Sequence, residues 1–263
     1  MNEIKTIYKD NIKIKYGIIH GGKKPFVMLP GVSLGSILVN INGIESAYEE
    51  ILKDYTIYVF EHALPDDDDF SICDEADDAI YVLERLGLNN ICLYGVSNGG
   101  MIALSIALKK PIIIDKIIIV SSTAKTNEKR ISRLKHWEKL ASEYKIEELN
   151  WSFFNSMFTS DYIKKNKDIL EKLSHNGIKQ ECDCFSRVLR TMYNFDILDK
   201  IKQIKIPTFV LGSRLDPVFG EEASVEIAQI INCDCYIYEN YSHAFYDEAP
   251  DFKHRIKQWL DTK

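Results

Sequence analysis

The sequence predicts an α/β protein in which a mostly parallel, doubly wound sheet carries an inserted all-helical segment. Three observations lead there. Apolar runs of strand length alternate with amphipathic helical stretches over most of the chain, which implies parallel strands joined by crossover helices. One such run, Ile91 to Tyr94, stops at Gly95-Val96-Ser97-Asn98-Gly99, where a corner of small residues leads into a helical pattern. From about Lys125 to Lys200 strand-like runs cease, and charged and aromatic residues recur at helical spacing. The implied division is a core of residues 1–124 and 201–263 with a helical cap over 125–200.

Ile4–Tyr8 and Ile12–His20 alternate apolar and polar side chains and suit an antiparallel pair with one wet face. Gly21-Gly22 turns the chain into Phe26–Leu29, a short buried strand that ends in Pro30-Gly31-Val32-Ser33-Leu34-Gly35. Glu45–Lys53 reads as a helix, Thr56–Phe60 as a strand and Ile72–Leu86 as an amphipathic helix. Met101–Lys109 is apolar all round, the pattern of a buried helix, and Lys116–Ser121 is the next strand. Within the insertion, Trp151, Phe154 and Phe158 stand at i, i+3 and i+7. Most of that apolar face forms the core of the insertion, but part of it faces the opening below, so these three are substrate-contact candidates. Pro207–Leu211, Glu222–Ile231, Cys235–Tyr238 and Glu248–Leu260 then resume strand, helix, strand, helix.

Bulk composition narrows the function classes. A chain of 263 residues, 46% hydrophobic and 27% charged, buries a full core. Its net charge of -6, with no basic stripe, argues against nucleic acid or an anionic membrane as partner. Met1–Tyr16 lacks the uninterrupted apolar centre of a signal peptide, and Pro111–Val120 is too short to cross a bilayer, so the expected location is cytoplasmic. The six cysteines are then expected as reduced thiols. Cys182-Asp183-Cys184 and Cys233-Asp234-Cys235 lack the two-residue spacer of zinc knuckles, and neither a metal nor a cofactor is called for.

Three side chains carry the chemistry. Ser97 stands at the tip of a sharp strand-to-helix turn, where a strained backbone needs nearly side-chain-free neighbours, and Gly95 and Gly99 supply them. Asp216 follows the Pro207–Leu211 strand within Gly212-Ser213-Arg214-Leu215-Asp216-Pro217-Val218, and His243 follows the Cys235–Tyr238 strand. Parallel strands bring such strand ends to one edge of a sheet. A serine hydroxyl is a poor nucleophile at neutral pH and needs an imidazole as base, which a carboxylate holds in the useful tautomer. The backbone N–H of Asn98, at a helix start, is placed to receive a developing negative charge. Asp196 and Asp199 are the alternative acids, less favoured because they sit in a helical or linker stretch whereas Asp216 follows a strand directly. His20, His62, His136, His175 and His254 have no comparable setting. Asp66–Asp69, after the Thr56–Phe60 strand, reads as a solvated acidic loop that would disfavour anionic substrates if it bordered the pocket.

The Gly-x-Ser-x-Gly nucleophile elbow, the later Gly-x-x-x-Asp-Pro-Val loop and the late Ser242-His243-Ala244-Phe245 segment, in this order around a helical insertion, resemble the α/β-hydrolase family over essentially the whole chain. The resemblance implies a cap over the active site, Ser97, Asp216 and His243 as catalytic triad, and Val32 as a second oxyanion donor through its backbone N–H. One departure is that Pro30-Gly31 stands where many members carry His-Gly. The expected activity is cofactor-independent cleavage of an ester or related acyl bond in a small, largely apolar molecule. Thioesterase, C–C bond hydrolase, perhydrolase and acyltransferase chemistry share the triad and stay open, as does a non-catalytic small-molecule receptor.

Overall fold

The computed structural model describes residues 2–10, 12–62 and 69–262. The chain runs β1 (Glu3–Lys9), β2 (Ile12–Ile19), β3 (Lys24–Leu29), α1 (Ile41–Ala47), α2 (Glu49–Leu52), β4 (Tyr55–Phe60), α3 (Ile72–Arg85), β5 (Ile91–Val96), α4 (Asn98–Lys109) and β6 (Ile114–Val120). Helices α5 (Glu128–Ser142), α6 (Ile146–Met157), α7 (Ser160–Lys165), α8 (Lys167–Ser174) and α9 (Lys179–Thr191) follow without an intervening strand. The core resumes with β7 (Thr208–Ser213), α10 (Glu221–Ile231), β8 (Asp234–Tyr238), α11 (Phe245–Glu248) and α12 (Phe252–Thr262).

The eight strands form one sheet in the order β1-β2-β4-β3-β5-β6-β7-β8. β2 is antiparallel to β1 and β4, and every pair from β4 onward is parallel. Side-chain alternation along the central strands builds two cores. Ile91 and Leu93 of β5, with Ile117 and Ile119 of β6, pack with Val82 of α3, Met101 of α4 and Ile227 of α10. Cys92 and Tyr94, with Ile118 and Val120, pack on the other face with Ile41, Ile51 and Ile256 of α1, α2 and α12. Both faces of the sheet are therefore covered, and β5 is buried at all its positions as a central parallel strand requires.

Two helices differ from the sequence reading. The Glu45–Lys53 stretch begins earlier, at Ile41, and breaks at Tyr48, whose ring is buried and whose hydroxyl meets that of Tyr94 at 3.0 Å. The terminal helix expected over Glu248–Leu260 begins only at Phe252, because Pro250 forces Ala249 into an extended conformation (φ -75°, ψ 117°), and Phe245–Glu248 forms the separate short helix α11. At the neck of the insertion, Lys125 pairs antiparallel with Asp196, flanked by Thr126 N–H to Phe195 O and Ile197 N–H to Ala124 O, both at 2.9 Å. Asp66–Asp68 of the acidic loop lie outside the described residues. Among the described residues no helix is long and apolar enough to cross a membrane.

The close approach of α4 to β3 sets the geometry of the sheet edge. A Cβ on Gly99 would collide with the carbonyl oxygens of Leu29 and Pro30, and those backbone atoms have no cheap way to move. Gly99→Ala is expected to cost about 3 kcal/mol or more. Gly87→Ala, at φ 64° with open space around it, should cost only about 1 kcal/mol. Urea denaturation of the two variants measures the contrast.

Candidate active site

Ser97 joins β5 to α4 with φ 53° and ψ -118°, a conformation that costs a non-glycine residue on the order of 1–3 kcal/mol. The surroundings fix it. Its N–H donates to Val120 O at 2.8 Å and its carbonyl accepts from Ser122 Oγ at 2.7 Å, so the last residue of β6 and the loop after it clamp the turn from both sides. Gly31, in the loop after β3, lies against the same residue: a Cβ there would stand 3.1 Å from Ser97 Cβ and 3.8 Å from its Oγ. The Asn98 N–H falls in the first turn of α4, where helical acceptors are missing. The Asn98 side chain is fully buried, and its amide atoms have no partner among the described residues.

Asp216 and His243 meet. Asp216, just past β7, accepts the N–H groups of Val218 (2.7 Å) and Phe219 (3.3 Å) on Oδ1, which leaves Oδ2 for His243 Nδ1 at 2.9 Å. A carboxylate only accepts, so Nδ1 carries the proton and Nε2 of the neutral ring presents its lone pair. His243 is 2% exposed, with the Phe219 ring edge-on at 5.7 Å. Asp196, one of the alternative acids, instead pairs with Lys125 at 2.7 Å in the neck of the insertion.

The histidine loop is held on every side by short bonds. Ser121 Oγ donates to His243 O (2.7 Å) and Ser213 Oγ to Ser242 O (2.7 Å). Ser242 Oγ donates to Ser156 O (2.8 Å) and Ala244 N–H to Met157 O (2.8 Å), which ties the C-terminal end of α6 to both flanks of the histidine. Val120, Ser121 and Ser122 thus bind the Ser97 turn and the His243 loop to one strand end. The Ser97 hydroxyl itself makes no hydrogen bond among the described residues. Sequence reasoning missed these buried serines; the signal available was a run of small hydroxyl residues directly after β6, Ser121-Ser122-Thr123.

Trp151, Phe154 and Phe158 ride on and just after α6. Trp151 meets Phe154 edge-on at 5.9 Å, and Phe158 stacks on Tyr162 at 4.5 Å. A cavity of about 410 Å³ opens between the loop after β3 and α9, lined by Pro30, Ser33, Ile37, His62, Phe185 and Val188 among others. Its helical wall is therefore α9, and the α6 aromatics lie outside its lining.

One sequence expectation is overturned. His62 was expected to lack a setting like that of His243, yet its Nδ1 lies 2.7 Å from Glu75 Oε2, and both residues are largely buried. The partner comes from α3, and no local pattern joins the two. Burial alone would lower the His62 pKa, but the Glu75 charge, its hydrogen bond and the Gly31 carbonyl outweigh it and hold the pKa above the usual histidine value. Among the described residues, Glu147, Glu171 and His175 form a cluster of metal-ligand type. All three are exposed, and the two ring nitrogens of His175 face different carboxylates at 3.6 and 3.8 Å, the arrangement of ion pairs.

A mostly parallel sheet with a strained serine after one central strand and a carboxylate–imidazole pair after two later ones defines an α/β hydrolase. The chain belongs to the Hydrolase_4 family (serine aminopeptidase, S33), whose model matches residues 69–250. It is 23% identical over 141 residues to 3-oxoadipate enol-lactonase 2 of Acinetobacter baylyi, a match that spans 54% of this chain and only about half (52%) of that relative's length. It is also 23% identical over 192 residues to the putative carbamate hydrolase RutD of Rhizobium rhizogenes, covering 69% of this chain and 72% of that one. Similar solved structures include MGS-M2, an α/β hydrolase enzyme from a Medee basin deep-sea metagenome library, at TM-score 0.85 and 18% identity over 98% of this chain and 97% of that one. The enol-lactonase of Burkholderia xenovorans LB400 superposes at TM-score 0.79 and 18% identity, covering 98% and 100%.

Ser121→Ala would leave the His243 carbonyl buried without its donor. It should destabilise the fold by about 1–3 kcal/mol, read as a lowered urea midpoint at unchanged m-value.

Proposed function

We propose that this chain is a serine hydrolase that cleaves an ester or related acyl bond of a small, largely apolar substrate. The observation that carries the proposal is the bond from His243 Nδ1 to Asp216 Oδ2, which leaves Nε2 as a base at the sheet edge where Ser97 ends β5. Two curated relatives are named as a lactonase and a carbamate hydrolase, both of which imply attack on a carbonyl carbon, and this supports the reaction class.

In the proposed reaction the Ser97 Oγ proton passes to His243 Nε2 while Oγ bonds to the substrate carbonyl carbon. Asp216 stabilises the imidazolium. The oxyanion is received by the backbone N–H groups of Val32 and Asn98, whose fixed dipoles need no reorganisation during the step. Collapse breaks the bond to the leaving oxygen, which takes the proton from His243. Water then attacks the acyl-enzyme with the same imidazole as base, releasing the acid and restoring Ser97. The helices of residues 125–200 act as a cap, and the half-buried Trp151, Phe154 and Phe158 are assigned apolar contact to the substrate because α6, which carries the first two and leads into the third, is bonded at its end to the His243 loop.

A fluorophosphonate probe should label the wild type at Ser97 and leave Ser97→Ala unlabelled. Turnover of p-nitrophenyl esters should fall on the order of a millionfold in Ser97→Ala or His243→Ala. Asp216→Asn, which favours the wrong tautomer, should cost roughly ten-thousandfold. A wild type that neither labels nor turns over any ester of the series would sink the proposal and favour the receptor reading.

A further inference from the structure

The His62–Glu75 pair plays no part in the reaction described above, and its second nitrogen has a specific partner. His62 Nε2 lies 3.3 Å from Gly31 O, while Nδ1 lies 2.7 Å from Glu75 Oε2. Two protons are needed to make both contacts, one on Nε2 for the carbonyl and one shared between Nδ1 and the carboxylate. Gly31 O belongs to the peptide unit that also contains the Val32 N–H.

We propose that His62, protonated with Glu75, is a positioning residue that holds the Gly31–Val32 peptide so that its N–H serves as oxyanion donor. The inference rests on reading Val32 as that donor. A trans peptide carries its C=O and N–H on opposite sides, so a bond that fixes the Gly31 carbonyl toward His62 also directs the Val32 N–H away from it. A donor on the carbonyl polarises the amide and strengthens its N–H as a donor in turn. Within the loop, Pro30 has no N–H, Gly31, which lies close against Ser97, has no side chain, and the Ser33 hydroxyl donates to Gly35 O, so it is His62 that meets the Gly31 carbonyl. A histidine from the end of β4 thereby serves a loop whose own sequence carries proline before the glycine.

The surroundings favour the protonated state. Glu61, just after β4, faces Lys15 of β2 at 3.7 Å, and Asp78 of α3 is paired with Lys9 of β1 at 2.6 Å, so among the described residues it is His62 that pairs with Glu75. Lys13 of β2 and Glu181 of α9 line the same cavity as His62. Thr191 Oγ1, at the end of α9, lies 3.3 Å from Glu75 Oε1, so the network also reaches the helical insertion. When the couple loses its proton, Nδ1 keeps the remaining hydrogen toward Glu75 and the bare Nε2 lone pair confronts the Gly31 carbonyl. The hold is full below the ordinary histidine pKa and is lost as pH rises through the His62 pKa, which lies above that value. That makes an alkaline limb, opposite in sense to the acid limb expected from a general base that must be unprotonated.

The experiment follows p-nitrophenyl acetate turnover and the rate of fluorophosphonate labelling across pH for the wild type, His62→Leu, His62→Gln and Glu75→Gln, together with nitrogen-15 spectra of the histidine rings in wild type and Ser97→Ala. His62→Leu should lose about tenfold in kcat with little change in KM, a fraction of the roughly hundred- to thousandfold that follows loss of a whole oxyanion donor. His62→Gln, which keeps a side-chain N–H but cannot titrate, should recover most of that loss and flatten the alkaline limb, and Glu75→Gln should move the limb to lower pH. Wild-type kcat in His62→Leu, or a limb unmoved in both Gln variants, overturns the inference; should His62→Leu fail to fold, the Gln variants decide alone. The ring spectra separate the two readings: a His62 Nε2 that carries no proton even below the ordinary histidine pKa overturns the positioning role even if Ser97 labels, whereas absent labelling with Nε2 protonated overturns the hydrolase reading and with it the catalytic use of the hold.

Discussion

At the edge of the sheet where β3 and β5 end, α4 and the loop after β3 approach so closely that glycines stand at the contacts, and the placement of Ser97 depends on that approach. α4 can start directly after Ser97 because Gly99 lets it rest on the Leu29 and Pro30 carbonyls, and the loop after β3 can reach Ser97 because Gly31 presents no Cβ. The positive φ of Ser97 is the price of exposing a side chain at such a corner. Its strain is offset by bonds that do not depend on the Ser97 side chain, the N–H to Val120 and the carbonyl from Ser122, so the hydroxyl is left uncommitted.

Strand ends pose a general problem, because ladder bonding stops while the backbone is still buried. Here serine hydroxyls take over from the ladder. Ser121, Ser122 and Ser213, all nearly inaccessible to solvent, each donate to a carbonyl in a neighbouring loop. The hydroxyl of Ser242 extends the same pattern to Ser156 at the end of α6. Alanine in their place would fill nearly the same volume but strand a buried acceptor, which explains small polar residues at positions otherwise suited to apolar ones. Through these bonds the helical insertion, the histidine loop and the serine turn share one rigid support on β6.

Much of this is local in sequence and could be read there. The strands announce themselves by apolar runs, the elbow by its glycines, and Asp216 and His243 by their position after strands. What could not be read is pairing across the chain. Glu75 is one of several acids on an amphipathic helix, and only the fold shows that it turns inward to His62 rather than to solvent. The break at Tyr48 is equally non-local, since the buried hydroxyl contact with Tyr94 comes from the middle of another element. The break at Ala249 was local and readable from Pro250. The α9 wall of the large cavity depends on how five helices stack, which periodicity along each helix does not determine.

Two imidazole–carboxylate couples therefore stand near one sheet edge with the same first bond and opposite prospects. Each ring has Nδ1 committed to a buried carboxylate, Asp216 for His243 and Glu75 for His62. The difference lies at the other nitrogen. For His62 the carbonyl of Gly31 faces Nε2 and requires a proton there, so this ring is suited to hold a proton and a loop. Among the described residues no hydrogen bond engages Nε2 of His243, which leaves that nitrogen open for the base role proposed for it. In the roles proposed for them, two chemically alike couples are thus distinguished by one backbone carbonyl, and that carbonyl belongs to the peptide proposed to receive the charge the other couple helps to create.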